Sequence, residues 1–284
     1  MKAGAFGYAR AESVAHALDL LARYGEGAKL LAGGQSLLPA LNLRLSVPDV
    51  LIDIGRLDAL RGIAVADGRL RIGALTTHDE LLSSPVIAAH APLLARAVAH
   101  VAHPAIRTRG TIGGSLANAD PAAELPACIL ALDARIVAVS ARGERALPAD
   151  GFFTGLFATA LAPDEILAAV DIALPVPGAC WGFGELARRA GDYAMVGIAA
   201  AGRREGARLA ALRLAFFGVG TRVTLAPLAA AALCAGAAPA DAVAAAKEAL
   251  GRDLTPHDDL NASAETRLAL ARVLLGRVVA SLSP

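Results

Sequence analysis

Residues 29–44 read KLLAGGQSLLPALNLR, and this stretch decides how the first part of the chain folds. The run at 29–32 predicts a short strand, and LLPALNLR predicts the first turns of a helix, because proline is tolerated early in one. Between them, Gly33 and Gly34 let the backbone adopt positive φ and approach a ligand closely. A turn of this kind before a helix presents N–H groups that bind anions. The stretch therefore predicts an anion-binding turn with the Ser36 hydroxyl at its rim.

A second glycine doublet lies in residues 109–121, which read RGTIGGSLANADP. Thr111 and Ser115 supply hydroxyls on either side of Gly113 and Gly114, and two arginines lie close upstream. Either doublet alone is also what an ordinary loop contains. Two doublets with flanking hydroxyls favour two halves of one site for a diphosphate, which needs many donors and little bulk.

Other chemistries find little support in the sequence. Neither doublet has the G-x-G-x-x-G spacing after an apolar strand, so a Rossmann site is disfavoured. There is no G-x-S-x-G elbow, no H-x-x-x-H pairing among the six histidines and no C-x-x-C among the three cysteines. We therefore predict no catalytic acid, base or nucleophile and no metal site. Any redox chemistry must come from a bound organic cofactor or from a partner.

Composition and charge limit the classes of protein to which the chain can belong. Hydrophobic residues make up 56% of the 284 residues and charged residues 19%, against about 25% in typical soluble domains. The longest uncharged run, 223–240, is alanine-rich, contains two prolines and barely reaches the ~20 residues of a spanning helix, so we predict a packed helix. The net charge of +1, without a basic stripe, disfavours nucleic-acid binding. No apolar core follows Lys2, so no signal peptide is expected, and we predict a cytoplasmic protein without a membrane segment.

Hydrophobic patterns predict the remaining elements. An apolar face over 14–21 predicts a helix, DVLIDI at 49–54 a strand, and 61–74 a hairpin with its turn at 67–68. Thr77 and Glu80 form a capping box that begins a broken helical stretch to about 100. A helix and two strands follow the second doublet. Beyond the PVPG boundary at 175–178, we predict a small antiparallel sheet and two alanine-rich helices.

Asp120 and Glu124 follow the second doublet and have two interpretations. As acids at a helix N-terminus they favour the helix dipole. Alternatively, they hydrogen-bond to the ribose or the ring of a ligand. The residues alone leave both interpretations open.

Two long motifs, AGGQSLLP and TIGGSLANADPAAELPA, resemble the flavin-binding medium subunit of molybdenum hydroxylases. That family includes the medium subunit of aerobic carbon monoxide dehydrogenase and the flavin domain of xanthine dehydrogenase. Segments such as PDVLIDIGRLDALRGI, RIGALTTHDELLSSPVI, PDEILAAVDIALP and LARRAGDYAMVG extend the resemblance, in family order, over nearly the whole chain. Only the C-terminal part matches loosely.

The resemblance implies an α+β fold. It consists of a two-subdomain FAD-binding fold of the vanillyl-alcohol oxidase (PCMH) type, followed by a small C-terminal α+β domain with an antiparallel sheet. The implied boundaries are residues 1–55 and 56–176 for the two subdomains and 177–284 for the C-terminal domain.

The resemblance also implies which residues contact FAD. The two doublets enclose the pyrophosphate, Glu124 occupies an acidic contact position, Leu167 an apolar position near the flavin ring, and Tyr193 lies beside the isoalloxazine. Gln35 stands where some relatives carry a histidine, so non-covalent FAD is expected. The full set of implied FAD contacts is Ala32, Gly33, Gly34, Gln35, Ser36, Thr111, Ile112, Gly113, Gly114, Ser115, Asp120, Glu124, Leu167 and Tyr193.

The function implied by the resemblance is electron transfer. Substrate is oxidised at a molybdenum cofactor in a large subunit, and electrons pass through 2Fe–2S clusters in a small subunit to FAD in this chain and then to an external acceptor. The implied assembly is a heterotrimer or its dimer. Two alternatives stay open: a free-standing FAD-dependent oxidase or dehydrogenase, and a nucleotide-binding module that has lost its flavin.

Overall fold

The computed structural model describes residues 2–236 and 238–283. Its strands are β1 (Gly7–Arg10), β2 (Ala28–Leu31), β3 (Val50–Asp53), β4 (Ile63–Ala66), β5 (Arg69–Gly73), β6 (Arg135–Ser140), β7 (Gly143–Pro148), β8 (Phe153–Gly155), β9 (Ala158–Thr159), β10 (Ile166–Ala173), β11 (Ala179–Leu186), β12 (Val196–Glu205), β13 (Arg208–Phe217) and β14 (Thr224–Leu225). Its helices are α1 (Val14–Tyr24), α2 (Leu37–Asn42), α3 (His78–Ser83), α4 (Pro85–His90), α5 (Pro92–Val98), α6 (Pro104–Arg107), α7 (Ile112–Asn118), α8 (Glu124–Ala131), α9 (Pro227–Cys234), α10 (Pro239–Asp253) and α11 (Ala264–Ala280).

The first sheet has three parallel strands in the order β1-β3-β2. Helix α1 buries Ala17, Leu20 and Leu21, and the Ser13 side chain caps its first turn. The predicted helix at 14–21 and the strands at 29–32 and 49–54 are confirmed to within a few residues. Because the strands are parallel, their carboxyl ends lie at one edge of the sheet. The first glycine loop leaves from that edge.

The second sheet is antiparallel, in the order β4-β5-β10-β6-β7. Its first hairpin turns at Asp67 and Gly68, both with positive φ, as the sequence predicts. The predicted capping box is present, since the Thr77 hydroxyl accepts from the Glu80 N–H and the Glu80 carboxylate accepts from the Thr77 N–H. Helices α5 and α8 bury most of their side chains in the core beside this sheet.

The third sheet, β11-β12-β13-β14, is antiparallel and matches the predicted C-terminal sheet. Helices α9, α10 and α11 share a second core with one face of this sheet. The apolar run at 223–240 contributes β14, α9 and the start of α10, with residue 237 outside the described part. Within the described residues, no helix combines the length and apolar character that crossing a membrane requires.

Candidate functional site

The first glycine loop runs from the end of β2 into α2 and carries unpaired backbone donors. Gly34 has a φ of 74° and its carbonyl accepts from Leu38 as the helix begins. Among the described residues, the N–H groups of 33–36 have no hydrogen-bond acceptor. Successive N–H groups around a left-handed residue form an anion-binding nest. This loop therefore fits an anionic group such as a diphosphate.

The second doublet lies in the first turn of helix α7 and not in a loop. The Ile112 N–H donates to the Thr76 carbonyl and the Gly113 N–H to the Ala74 carbonyl. The N–H groups of 114 and 115 donate to the Thr111 side chain and carbonyl. All four amides are thus engaged within the protein. At this helix start the Ser115 hydroxyl is the more accessible donor, because Thr111 is only 5% exposed and its hydroxyl accepts from the Gly114 N–H.

The two glycine loops touch each other. A Cβ atom built on Gly33 would collide with the Arg109 carbonyl oxygen and lie 3.1 Å from the Cα of Gly110. A Cβ on Gly113 would lie 2.8 Å from the Ala74 carbonyl oxygen. These two glycines are therefore required by close packing of backbone on backbone. The Gly33 contact joins the two loops, and the Gly113 contact packs α7 on Ala74, the residue that follows β5.

The acidic residues after α7 lie at the junction with the third sheet. The carbonyl of Pro121 accepts from the Gly218 N–H at 2.8 Å, and the Asp120 carboxylate accepts from the Ala122 N–H at 2.9 Å. Burial raises the pKa of Asp120, and burial together with the negative charges of Glu185 and Asp120 raises the pKa of Glu124 to about 7.

Tyr193 stands over the same acids although it comes from the C-terminal part of the chain. Its side chain is 70% exposed. Partial burial of the phenol, and then the charges of Asp120 and Glu124, raise the pKa of Tyr193. Tyr193 therefore lies close enough to both acids for their charges to act on its phenol.

Leu167 lies deeper than the other predicted site residues. It is in β10, only 5% exposed, and belongs to the main core. The carbonyl of its neighbour Ala168 accepts from the Ala74 N–H at 2.9 Å, so β10 adjoins the turn that contacts Gly113. Only a small part of the Leu167 side chain is open to a ligand.

Three polar residues near these loops have no signal in the sequence. His100 and Glu185 approach to 3.4 Å, between the end of α5 and β11. Arg267 of α11 is 3% exposed and donates to the carbonyls of Met195 and Gly218. These contacts join elements that are far apart in the sequence, and the hydrophobic periodicity of single helices and strands cannot predict them. In the described part of the chain, no group of three or more His, Cys, Asp and Glu side chains is arranged to hold a metal ion.

The chain combines a parallel sheet, an antiparallel sheet, two glycine loops in contact and a helix-covered third sheet, and its family models are those of FAD-binding flavoproteins. Residues 4–176 match the family model for the FAD binding domain in molybdopterin dehydrogenase, and residues 181–282 match the CO dehydrogenase flavoprotein C-terminal domain. The chain therefore belongs to the FAD-binding medium subunits of molybdenum hydroxylases, the flavin subunits of multi-subunit oxidoreductases.

Individual relatives are similar along their whole length. The nicotine 6-hydroxylase medium subunit of Paenarthrobacter nicotinovorans is 38% identical over 98% of both chains. The carbon monoxide dehydrogenase medium chain of Hydrogenophaga pseudoflava is 37% identical over 96% of both chains. A solved structure of carbon monoxide dehydrogenase from Hydrogenophaga pseudoflava contains a chain that superposes on this one with a TM-score of 0.96. The superposition covers 99% of this chain and 98% of that chain, and the solved enzyme lacks the Mo-pyranopterin moiety of its molybdenum cofactor. The predicted fold class and family are confirmed.

Proposed function

We propose that this chain binds one FAD non-covalently and passes electrons from the iron–sulfur clusters of a partner subunit to an external acceptor. The observation that carries the FAD proposal is the run of unpaired amides at 33–36 in a loop that contacts the second glycine loop. A diphosphate is the anionic group that FAD presents, and such a nest suits it.

Each implied residue has a role in this proposal. The amides of 33–36 and the Ser36 hydroxyl hold the diphosphate, and the hydroxyls of Thr111 and Ser115 adjoin it. The Gln35 side chain donates to the Gly33 carbonyl at 3.0 Å, so it braces the loop, and it has no ring nitrogen for a covalent link. The remaining implied residues would shape the loops or contact other parts of FAD: Ala32, Ile112, Gly113, Gly114, Asp120, Glu124, Leu167 and Tyr193.

When bound, FAD supplies one-electron exchange with iron–sulfur clusters and two-electron exchange with an acceptor. The residues of this chain bind and orient it. The carbonyl of Pro121 and the N–H of Gly218 tie the acidic loop to the third sheet, which fixes Tyr193 relative to Asp120. Leu167, 5% exposed in the main core, would keep water from the part of the flavin that lies against it.

The partners are proposed from the family and from the relatives. This chain would assemble with a large molybdenum-cofactor subunit and a small subunit that carries 2Fe–2S clusters, as a heterotrimer or its dimer. The domain boundaries at 55 and 176 and the cytoplasmic location stay predictions. Co-expression with candidate large and small subunits tests the assembly. A chain that purifies alone and oxidises an organic substrate unaided would instead be a free-standing flavin enzyme.

FAD binding is tested with a pair of matched variants. Gly34 and Gly206 both have positive φ, which costs an alanine about 1–2 kcal/mol, but only Gly34 lies in the proposed nest. A Cβ on Gly34 would also lie 3.0 Å from Leu38 Cδ1, the end of a flexible side chain, whereas one on Gly206 meets nothing within 4 Å. Without FAD, the loop of the Gly34→Ala variant can leave the left-handed conformation and so avoid this cost. Binding of FAD must then restore that conformation, and the cost appears as weaker binding. We expect FAD affinity to fall about 5–30-fold in Gly34→Ala and to stay unchanged in Gly206→Ala. Equal affinities in the two variants, or no FAD binding by the native chain, would refute the proposal.

A further inference from the structure

A buried arginine lies where three distant parts of the chain meet. Arg267 is in the first turn of α11 and is only 3% exposed. Its Nη1 donates to the carbonyl oxygen of Met195 at 2.5 Å and to that of Gly218. Its Nη2 pairs with the Asp259 carboxylate at 2.5 Å. A guanidinium stays charged when it is buried, and a buried charge needs partners, so these three contacts hold the side chain in place.

Gly218 connects this arginine to the acidic loop that follows α7. Its N–H donates to the Pro121 carbonyl at 2.8 Å, one residue after Asp120. A Cβ atom on Gly218 would lie 2.8 Å from the carbonyl oxygens of both Ala194 and Met195, so its backbone packs directly on theirs. Gly218 therefore lies between the acidic loop and the end of the loop that joins β11 to β12.

The loop between β11 and β12, residues 187–195, carries Tyr193 two residues before Met195. Tyr193 is 70% exposed, so its position depends mainly on the backbone that carries it. The Met195 N–H donates to the Leu186 carbonyl at 2.8 Å, and the Met195 carbonyl accepts from Arg267. The arginine is thus the contact that joins this end of the loop to α11.

The start of α11 is a fixed base for Arg267. The Ser263 hydroxyl accepts from the Thr266 N–H at 3.2 Å, and the Asp258 carboxylate accepts from the Ala264 N–H at 2.6 Å. The following turns of the helix share the second core. Because this base is fixed, the guanidinium also fixes the two backbone carbonyls that it contacts.

We propose that Arg267 is a positioning residue of the flavin site, which holds Tyr193 in a set place relative to the acidic loop so that its ring lies against the isoalloxazine. This inference rests on the proposed function, which places Tyr193 beside that ring. Arg267 acts through the backbone at 194–195 and at 218 and does not contact FAD. Without the guanidinium, Tyr193 keeps its side chain but loses its set place, and FAD binding must then restore it.

A double-mutant cycle on FAD affinity tests whether Arg267 acts through Tyr193. A contact between two aromatic rings is worth about 2–12-fold in affinity, so Tyr193→Ala should weaken FAD binding by about this factor. Arg267→Met should weaken it by the same factor or less, because it can remove only the contribution that Tyr193 makes. In the double variant, the loss should equal that of Tyr193→Ala alone. Quenching of FAD fluorescence by the full chain measures all four affinities.

Arg213→Met is the matched control. Arg213 also donates to a backbone carbonyl, that of Leu130 at 3.1–3.2 Å, but it lies four residues before the end of β13. We expect native FAD affinity in this variant. Arg267→Lys keeps the charge without the planar fork, so its affinity should lie between those of the native chain and Arg267→Met. The same cycle with Arg267→Lys tests the inference even if Arg267→Met does not fold.

The outcomes separate this inference from the proposed function. If the Arg267 variants weaken FAD binding equally with and without the Tyr193 side chain, or not at all, or no more than Arg213→Met does, the inference is overturned and the FAD site stands. Native affinity in Tyr193→Ala would remove this tyrosine from the flavin site and overturn the inference with it. Absence of FAD binding by the native chain would overturn the proposed function together with the inference.

Discussion

Replacement of Gly33 by alanine tests whether the two glycine loops must touch. In the native chain, the position of the missing Cβ is filled by the Arg109 carbonyl, with the carbonyl carbon at 2.8 Å and the Gly110 Cα at 3.1 Å. All three atoms are backbone, so no side chain can rotate away. The φ of Gly33 is not positive, and the substitution therefore adds overlap without backbone strain. Forcing an extra carbon into a packed contact typically costs about 1–3 kcal/mol.

This cost has two measurable consequences in Gly33→Ala. For a chain of this size, each kcal/mol lowers the melting temperature by about 2–4 °C, so we expect a fall of about 2–12 °C in the apo protein. We also expect weaker FAD binding, because the loops must separate. Differential scanning fluorimetry and quenching of FAD fluorescence measure the two effects. The control is Gly155→Ala, whose Cβ would meet nothing closer than 4.0 Å.

The two measurements together can refute the reasoning. If Gly33 served only to leave space for a ligand, Gly33→Ala would lose FAD while the melting temperature of the apo chain stayed at the native value. A native melting temperature would therefore contradict the contact between the loops as the reason for this glycine. A fall in Gly155→Ala as large as in Gly33→Ala would contradict it as well.

Three other predictions concern stability. His78 is 6% exposed, both its ring nitrogens lack partners among the described residues, and burial lowers its pKa to about 4. In the unfolded chain, His78 takes up a proton near pH 6.5, whereas in the folded chain it does so only near pH 4. The free energy of unfolding should therefore fall by about 3 kcal/mol as the pH drops from 6.5 through 4. In urea titrations at a series of pH values, His78→Leu should lose this dependence on pH. Thr77→Ala removes the capping box and should cost about 0.5–2 kcal/mol in the same titration at neutral pH, whereas an unchanged midpoint would contradict the cap. Arg267→Met leaves the carbonyls of Met195 and Gly218 without this donor, and each should lower the free energy of unfolding by about 1–3 kcal/mol. A variant as stable as the native chain would show that the arginine is not needed there.

Local patterns predicted the elements that position the site. The strand before Gly33, the helix after Ser36 and the hairpin at 67–68 follow from hydrophobic periodicity and from residues that tolerate positive φ. Strand β1 was not predicted, because it is short and largely exposed and so carries no apolar pattern. Its place is set by pairing with β3.

Helix α7 begins at the second glycine doublet, where the sequence alone does not predict a helix. Two glycines in its first turn cost about 1 kcal/mol each in helix propensity, so the sequence favours a loop there. The helix forms because the Thr111 side chain caps it and because Ile112 and Leu116 are buried in the main core. Gly113 is required because Ala74 packs against it. The pair of His100 and Glu185 depends in the same way on tertiary packing of β11 against α5, which no local pattern predicts.

Nuclear magnetic resonance of the 15N-labelled chain, titrated with FAD, tests the central claim most directly. The amides of 33–36 have no acceptor among the described residues, whereas those of Ile112 and Gly113 already donate within the protein. We therefore expect saturable one-to-one binding with large downfield shifts of the 33–36 amide protons and small shifts at 112 and 113. FAD binding that leaves the 33–36 amides unmoved would place the diphosphate elsewhere and contradict the account.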